Sequence, residues 1–179
     1  YDIYNNIAIG DYSNSKIYLG GGGNFGYGYD VKTLSRNVYS CGVDSRGQLG
    51  RTNDNNDIPI QITETIGSSN IVAISAGGYH SLFLDKNGNV YSCGNDSQGQ
   101  LGRTGDNNDI PIQITDTIGT STIVAISVGD LHSLFLAENG NVYSCGTDDY
   151  GLLGRTGNNT KPMQITETIS DSNIVAISA

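Results

Sequence analysis

The chain has 179 residues, enough for one ordinary domain with a sizeable core. Its 18 acidic and 9 basic side chains leave a net charge of -9, which repels phosphate and argues against duplex nucleic acid or an anionic membrane as a direct partner. With 25 Gly, 3 Pro, no Trp and 11 Tyr against 3 Phe, the composition points to short strands and tight turns, and no stretch approaches the roughly 20 apolar residues of a membrane span.

Residues 1–37 come first and are the least regular. Within them, Ile17-Tyr18-Leu19-Gly20-Gly21-Gly22-Gly23 reads as a strand running into glycines. Tyr29 to Val38 reads as a degenerate hairpin, with Asp30 in a place that a His holds later. The segment is expected to be a degenerate repeat or the end of a preceding unit. The opening YDIYNNIAIG lacks the basic and then apolar run of a signal peptide, so an intracellular protein, cytoplasmic or nuclear, is expected.

From Val38 a repeat is plain. VYSCG stands at Val38–Gly42, Val90–Gly94 and Val142–Gly146, 52 residues apart each time. GQLGRT at Gly47–Thr52 returns at Gly99–Thr104 and, as GLLGRT, at Gly151–Thr156. PIQIT at Pro59–Thr63 returns at Pro111–Thr115 and, as PMQIT, at Pro162–Thr166, where the preceding Asn-rich loop is one residue shorter. IVAIS occurs at Ile71, Ile123 and Ile174, and HSLFL at His80 and His132. The units divide as 38–89, 90–141 and an incomplete 142–179; the first two differ at 11 of 52 positions.

Each unit reads as four short strands. In IVAIS, Val72 and Ile74 face one way and Ile71, Ala73 and Ser75 the other. In HSLFL, Leu82 and Leu84 oppose Phe83. Asp85-Lys86-Asn87-Gly88 and Ala137-Glu138-Asn139-Gly140 are turns ending in a Gly suited to positive φ. VYSC alternates in the same way, and PIQIT begins with a Pro suited to an edge strand. Four antiparallel strands per unit fit a propeller blade, whose two apolar faces are buried only by stacking on neighbours. The fold class is therefore all-β, a partial β-propeller of four-stranded blades.

The order VYSCGxDxxGQLG, Pro-x-x-Ile, IVAISAGxxHSLFL, xxNG resembles the repeat of the regulator-of-chromosome-condensation family over residues 38–179. The resemblance implies a seven-bladed propeller, of which this chain would supply about three to four blades. Closing such a ring takes roughly seven units of this length, so the chain reads as a fragment of a longer protein or one that self-associates, since an open arc leaves strand edges bare. The family's founding member exchanges guanine nucleotide on the small GTPase Ran through a wedge-like insertion; the regular units here contain no insertion. Other propellers of the family inhibit an enzyme or recruit substrates to a ubiquitin ligase.

Most polar motifs have a structural reading. His80 and His132 occupy equivalent positions, whereas a catalytic pair needs unlike partners, so both are expected to support the blade. Cys41, Cys93 and Cys145 are odd in number and equivalent in place, as buried thiols would be and a disulfide framework would not. Gly21–Gly26 matches GxGxxG, but the extended sequence after it offers no helix to cradle phosphate. The Asn/Asp loops at 53–57 and 105–109 lack the central Gly and distant Glu of a calcium loop. Asn95-Asp96-Ser97 and Asn158-Asn159-Thr160 match the glycosylation sequon and, with no secretory signal visible in this sequence, are expected to be chance matches. Arg51, Arg103 and Arg155 would form a row on one rim, bonding carbonyls or pairing with the row Asp44, Asp96 and Asp148; the functional reading makes them an anchor for an acidic partner.

No asymmetric cluster marks a catalytic, cofactor or metal site, so none is assigned. Information sits where the units differ. The candidate partner-binding positions are Val43, Arg46, Asn95, Gln98, Asp130, Leu131, Thr147 and Tyr150. The expected function is a non-enzymatic protein-interaction platform, with exchange on a Ran-like GTPase as the alternative and enzyme inhibition or substrate recruitment as the second.

Overall fold

The computed structural model describes residues 6–11, 15–16, 37–52, 55–67, 69–105, 107–115, 118, 121–166 and 173–179. Among the described residues, twelve strands run β1 (Asn6–Asp11), β2 (Ser15–Lys16), β3 (Asn37–Cys41), β4 (Ile60–Gln61), β5 (Ile71–Ala76), β6 (His80–Asp85), β7 (Val90–Gly94), β8 (Ile112–Gln113), β9 (Ile123–Val128), β10 (His132–Ala137), β11 (Val142–Gly146) and β12 (Met163–Gln164). They form three four-stranded sheets, ordered β2-β1-β3-β4, β5-β6-β7-β8 and β9-β10-β11-β12. All pairings are antiparallel. This is an arc of propeller blades. No helix among the described residues is long and apolar enough to cross a membrane.

The local chemistry explains the hairpins. Asp85 N donates to the Asn89 carbonyl across the turn, Gly88 sits at φ 84, and Phe83 then faces Tyr91 across the ladder. The next blade repeats this register, pairing Phe135 with Tyr143. β5 and β9 each carry one bulge, at Val72 and at Val124, which turns that valine out to solvent. In the first sheet β3 pairs on one side with β1, from Asn6↔Cys41 to Gly10↔Asn37, and on the other with β4. The strand expected at 17–23 and most of the hairpin expected at 29–38 lie outside the described residues.

Every residue of β6 and β7 is buried, because both faces of a blade meet a neighbour. Period-two alternation therefore separates two interfaces rather than core from solvent. Phe83, Tyr91 and Cys93, with Ile71 of their own sheet, pack on Val38, Ile62 and Ile66 of the preceding side. Leu82, Leu84 and Val90 pack on Phe135, Tyr143 and Cys145 of the following blade. Each buried Leu or Phe contributes about 1.5–3 kcal/mol.

Polar groups also cross the junctions. The Gln48 carbonyl accepts from Ser81 Oγ at 2.8 Å and from Cys93 Sγ at 3.7 Å. One repeat later, the Gln100 carbonyl accepts from Ser133 Oγ at 2.8 Å and Cys145 Sγ at 3.6 Å. The turn that offers these carbonyls approaches the next blade closely. A Cβ on Gly102 (φ +65) would stand 2.9 Å from Pro162 Cγ and 3.0 Å from Cys145 Sγ. Near the propeller axis, the Ser75 hydroxyl accepts from Val128 N at 3.1 Å, and Ser127 does the same for Ala179 N at 2.9 Å. The last segment, 173–179, thus lies beside β9 as β9 lies beside β5, although it is not itself part of a sheet.

Candidate functional site

The register fixes which loops share an end of the blades. His80 opposes Gly94 and His132 opposes Gly146, so the short connections at 77–79 and 129–131 emerge beside the long connections after β7 and β11. Backbone bonds tie them together: Asn95 N donates to the Tyr79 carbonyl and Thr147 N to the Leu131 carbonyl, both at 2.9 Å. All eight positions singled out from sequence lie on this one rim.

Beneath the rim, each long connection is held by one repeated latch. Arg51, Arg103 and Arg155 are buried, at 2%, 4% and 5% exposure, and each bonds the main-chain carbonyl of a serine, the local structural role expected of them rather than an anchor open to an acidic partner. Their Nε atoms donate to Ser40, Ser92 and Ser144 Oγ at 3.0, 3.0 and 2.9 Å. Those hydroxyls donate in turn to the carbonyls of Leu49, Leu101 and Leu153. Asp44, Asp96 and Asp148 accept from the backbone N–H of the same three leucines at 2.9, 3.0 and 3.2 Å. Burial pushes the Asp44 and Asp96 carboxyls up, against the lowering effect of the leucine N–H and the nearby guanidinium.

The histidines belong to the frame as well. His80 is wholly buried and its Nε2 lies 2.8 Å from Ser133 Oγ. With that hydroxyl's proton on the Gln100 carbonyl, the imidazole serves it as donor in the tautomer that carries its proton on Nε2. Burial, with the neighbouring His132 adding to it, pushes His80 down to about 3. His132 is lowered too, by burial, with Asp130 opposing. Cys93 and Cys145 are buried, and burial raises both thiols; Cys41 is only half-buried. Among the described residues, no group of three His, Cys, Asp or Glu is placed to hold a metal ion.

Above this frame the side chains diverge. Val43, Arg46, Gln98, Asp130 and Tyr150 are exposed, and Asn95 and Leu131 half-buried. Thr147 is the exception: at 6% exposure, its hydroxyl caps Asp149 N at 3.4 Å. Tyr150 is fully exposed at 102% and sits in the left-handed region (φ 62, ψ 19), within a single 3-10 turn over Asp149–Gly151.

Two grooves repeat along the rim, one per blade junction. The first, about 450 Å³, is lined by Arg46, Asn95, Asp96, Ser97, Gly105 and Asn108, with Gly94 at its floor. The second, about 460 Å³, has Gln98 in the place of Arg46 and adds Asp148, Asp149, Asn159 and Thr160 to Asp96. Equivalent clefts thus differ in charge. Asp149 escapes a comparison of the first two units, because Ser45 and Ser97 are identical there; only the third unit reveals it.

The model of the Regulator of chromosome condensation (RCC1) repeat matches residues 37–84, 87–136 and 139–179, and a second model of that repeat matches 71–100 and 123–152. A Drosophila melanogaster protein, Regulator of chromosome condensation, is 36% identical over 142 residues, covering 76% of this chain and 25% of that protein. The Mus musculus E3 ubiquitin-protein ligase HERC2 is 33% identical over 132 residues, covering 72% of this chain and 3% of the ligase. The chain therefore spans a quarter or less of these relatives. Yeast RCC1 (Prp20), in its crystal structure with Kap60, superposes with a TM-score of 0.66 at 24% identity over 80% of this chain and 36% of that one.

Proposed function

This chain belongs to the regulator of chromosome condensation repeat family, and we propose that it acts as a non-enzymatic platform whose long-loop rim docks a protein partner. One observation carries the reading. A repeated frame of buried Arg and Ser with a half-buried Asp fixes the rim loops alike in each unit, while the positions that differ between units stand above it. Arg46, Gln98, Asp130 and Tyr150 are the docking positions; Thr147 is better assigned to the frame. A protein partner fits the net charge of -9 better than a phosphate backbone does.

The test uses the chain as bait for a protein partner, followed by titration of that partner with the variants Gln98→Ala, Asp130→Ala and Tyr150→Ala. An exposed aromatic at the centre of a docking surface is worth about 2 kcal/mol or more, a loss of affinity of about thirtyfold. Unchanged affinity in all three removes this rim from consideration. A second reading, guanine-nucleotide exchange on a Ran-like GTPase, is favoured by the similarity to the Drosophila protein. It requires faster release of a fluorescent GDP analogue, and no acceleration across several small GTPases eliminates it.

A further inference from the structure

Two Asn-Gly turns occupy the same place in successive blades, yet their chemistry differs. Asn87-Gly88 joins β6 to β7 and Asn139-Gly140 joins β10 to β11. Both asparagines are exposed, and the glycines have almost the same φ, 84 and 83. Gly88 N donates to the Asp85 carbonyl at 3.1 Å and Gly140 N to the Ala137 carbonyl at 2.9 Å, so the two prospective nucleophiles are tied alike.

The difference lies at the asparagine carboxamide. Asn141 N donates to Asn139 Oδ1 at 3.1 Å. In the other turn the corresponding Asn89 N donates to Asp85 Oδ1 at 2.9 Å, and the same oxygen accepts from Asn87 N at 2.8 Å. Asp85 Oδ2 also accepts from Asn89 Nδ2 at 2.9 Å. The counterpart of Asp85 is Ala137, which has no carboxylate to compete, so Asn139 turns its own carbonyl onto the free N–H.

We propose that Asn139 is a site of spontaneous deamidation directed by the fold, and that Asn87 is protected by Asp85. In the first step Gly140 N forms a bond to Asn139 Cγ and gives up its proton. The Cγ–Nδ2 bond breaks, and that nitrogen leaves as ammonia with the proton, closing a succinimide. Water then opens the ring at either carbonyl, adding hydroxyl to carbon and hydrogen to nitrogen, to leave aspartate or isoaspartate at position 139. Negative charge develops on Oδ1 in the first step, where Asn141 N already points; a donor placed at a developing oxyanion lowers the barrier.

Asp85 acts against the same step at Asn87 in two ways. It removes the donor, and its carboxylate, in a residue only 5% exposed, sets a poorly screened negative charge against the Asn87 and Asn89 N–H groups that flank the Gly88 nitrogen. The flanking charges favour the opposite order, with Lys86 beside Asn87 and Glu138 beside Asn139. Both are exposed and screened by solvent and salt, so the buried group dominates.

The experiment incubates the full 179-residue chain in mildly alkaline buffer, folded and in strong urea. Peptide mass spectrometry and an isoaspartyl methyltransferase assay follow both sites. In the folded chain, position 139 is expected to react about tenfold faster than position 87, a modest share of what one oxyanion donor supplies in a dry site. In urea the two rates should converge. Equal folded rates, a faster reaction at 87, or a difference that persists in urea overturns the proposal. In Asp85→Ala the rate at Asn87 should rise toward that at Asn139; an unchanged rate removes the protective role.

Discussion

Acidification from pH 7 to pH 5 is expected to destabilise the fold through His80. The unfolded imidazole takes up a proton near its ordinary 6.5, whereas the folded one does so only at about 3. Below 6.5 the unfolded chain therefore binds more protons, and stability falls with pH until the folded value is reached. At pH 5 this amounts to about 2 kcal/mol from His80 alone, at about 1.4 kcal/mol per pH unit once the unfolded group is protonated. His132 is shifted in the same direction and adds to the loss. Asp44 and Asp96, raised by burial, work the other way, but only at the acid end where carboxyls titrate. Urea unfolding followed by circular dichroism at half-unit pH steps measures the slope. His80→Gln keeps a donor for Ser133 Oγ and cannot charge, so its stability should vary less with pH. A wild-type chain equally stable at pH 7 and pH 5, or a variant with the same slope, refutes the argument.

Two further outcomes follow from the blade junctions. Gly102→Ala should destabilise more than Gly154→Ala by about 1–3 kcal/mol, since both strain a positive φ but only the first overpacks; a Cβ on Gly102 meets Pro162 and Cys145, whereas on Gly154 the nearest atom is 3.7 Å away in Ile165. Equal losses in thermal melts would show that the junction yields freely. With a thiol reagent at mildly alkaline pH, Cys41 should react in the native chain, while Cys93 and Cys145, fully buried and with raised thiols, should react only on unfolding. Labelling of all three at one rate would contradict the burial.

The strands were legible because each carries a period-two pattern closed by a turn glycine, as in Leu82-Phe83-Leu84 before Gly88. Alternation cannot say which neighbour each face meets, and here Phe83 turns to the preceding blade and Leu82 to the following one. The arginine row shows a different limit. Its spacing implies a shared structural role but does not name the partner: Arg103 finds Ser92 eleven residues back along the chain and is buried. Nothing local in the sequence marks such a pairing. The candidate rim was legible as a set of differing positions, because loops after equivalent strands emerge at equivalent places. The burial of Thr147 is not legible in the sequence, because it depends on a short hydroxyl folding back onto its own loop. The grooves could not be read at all, since each is assembled from two loops a full repeat apart.

The bonds that cross from Gln48 to Ser81 and from Gln100 to Ser133 are the same bond displaced by one repeat. Each blade therefore offers its successor the socket that it fills on its predecessor. A whole unit duplicated or removed in register would meet familiar chemistry on both sides, whereas a cut within a unit would not. The architecture can in this way change length by gene duplication in whole steps, and each new copy arrives with a rim loop already mounted and free to acquire a different specificity.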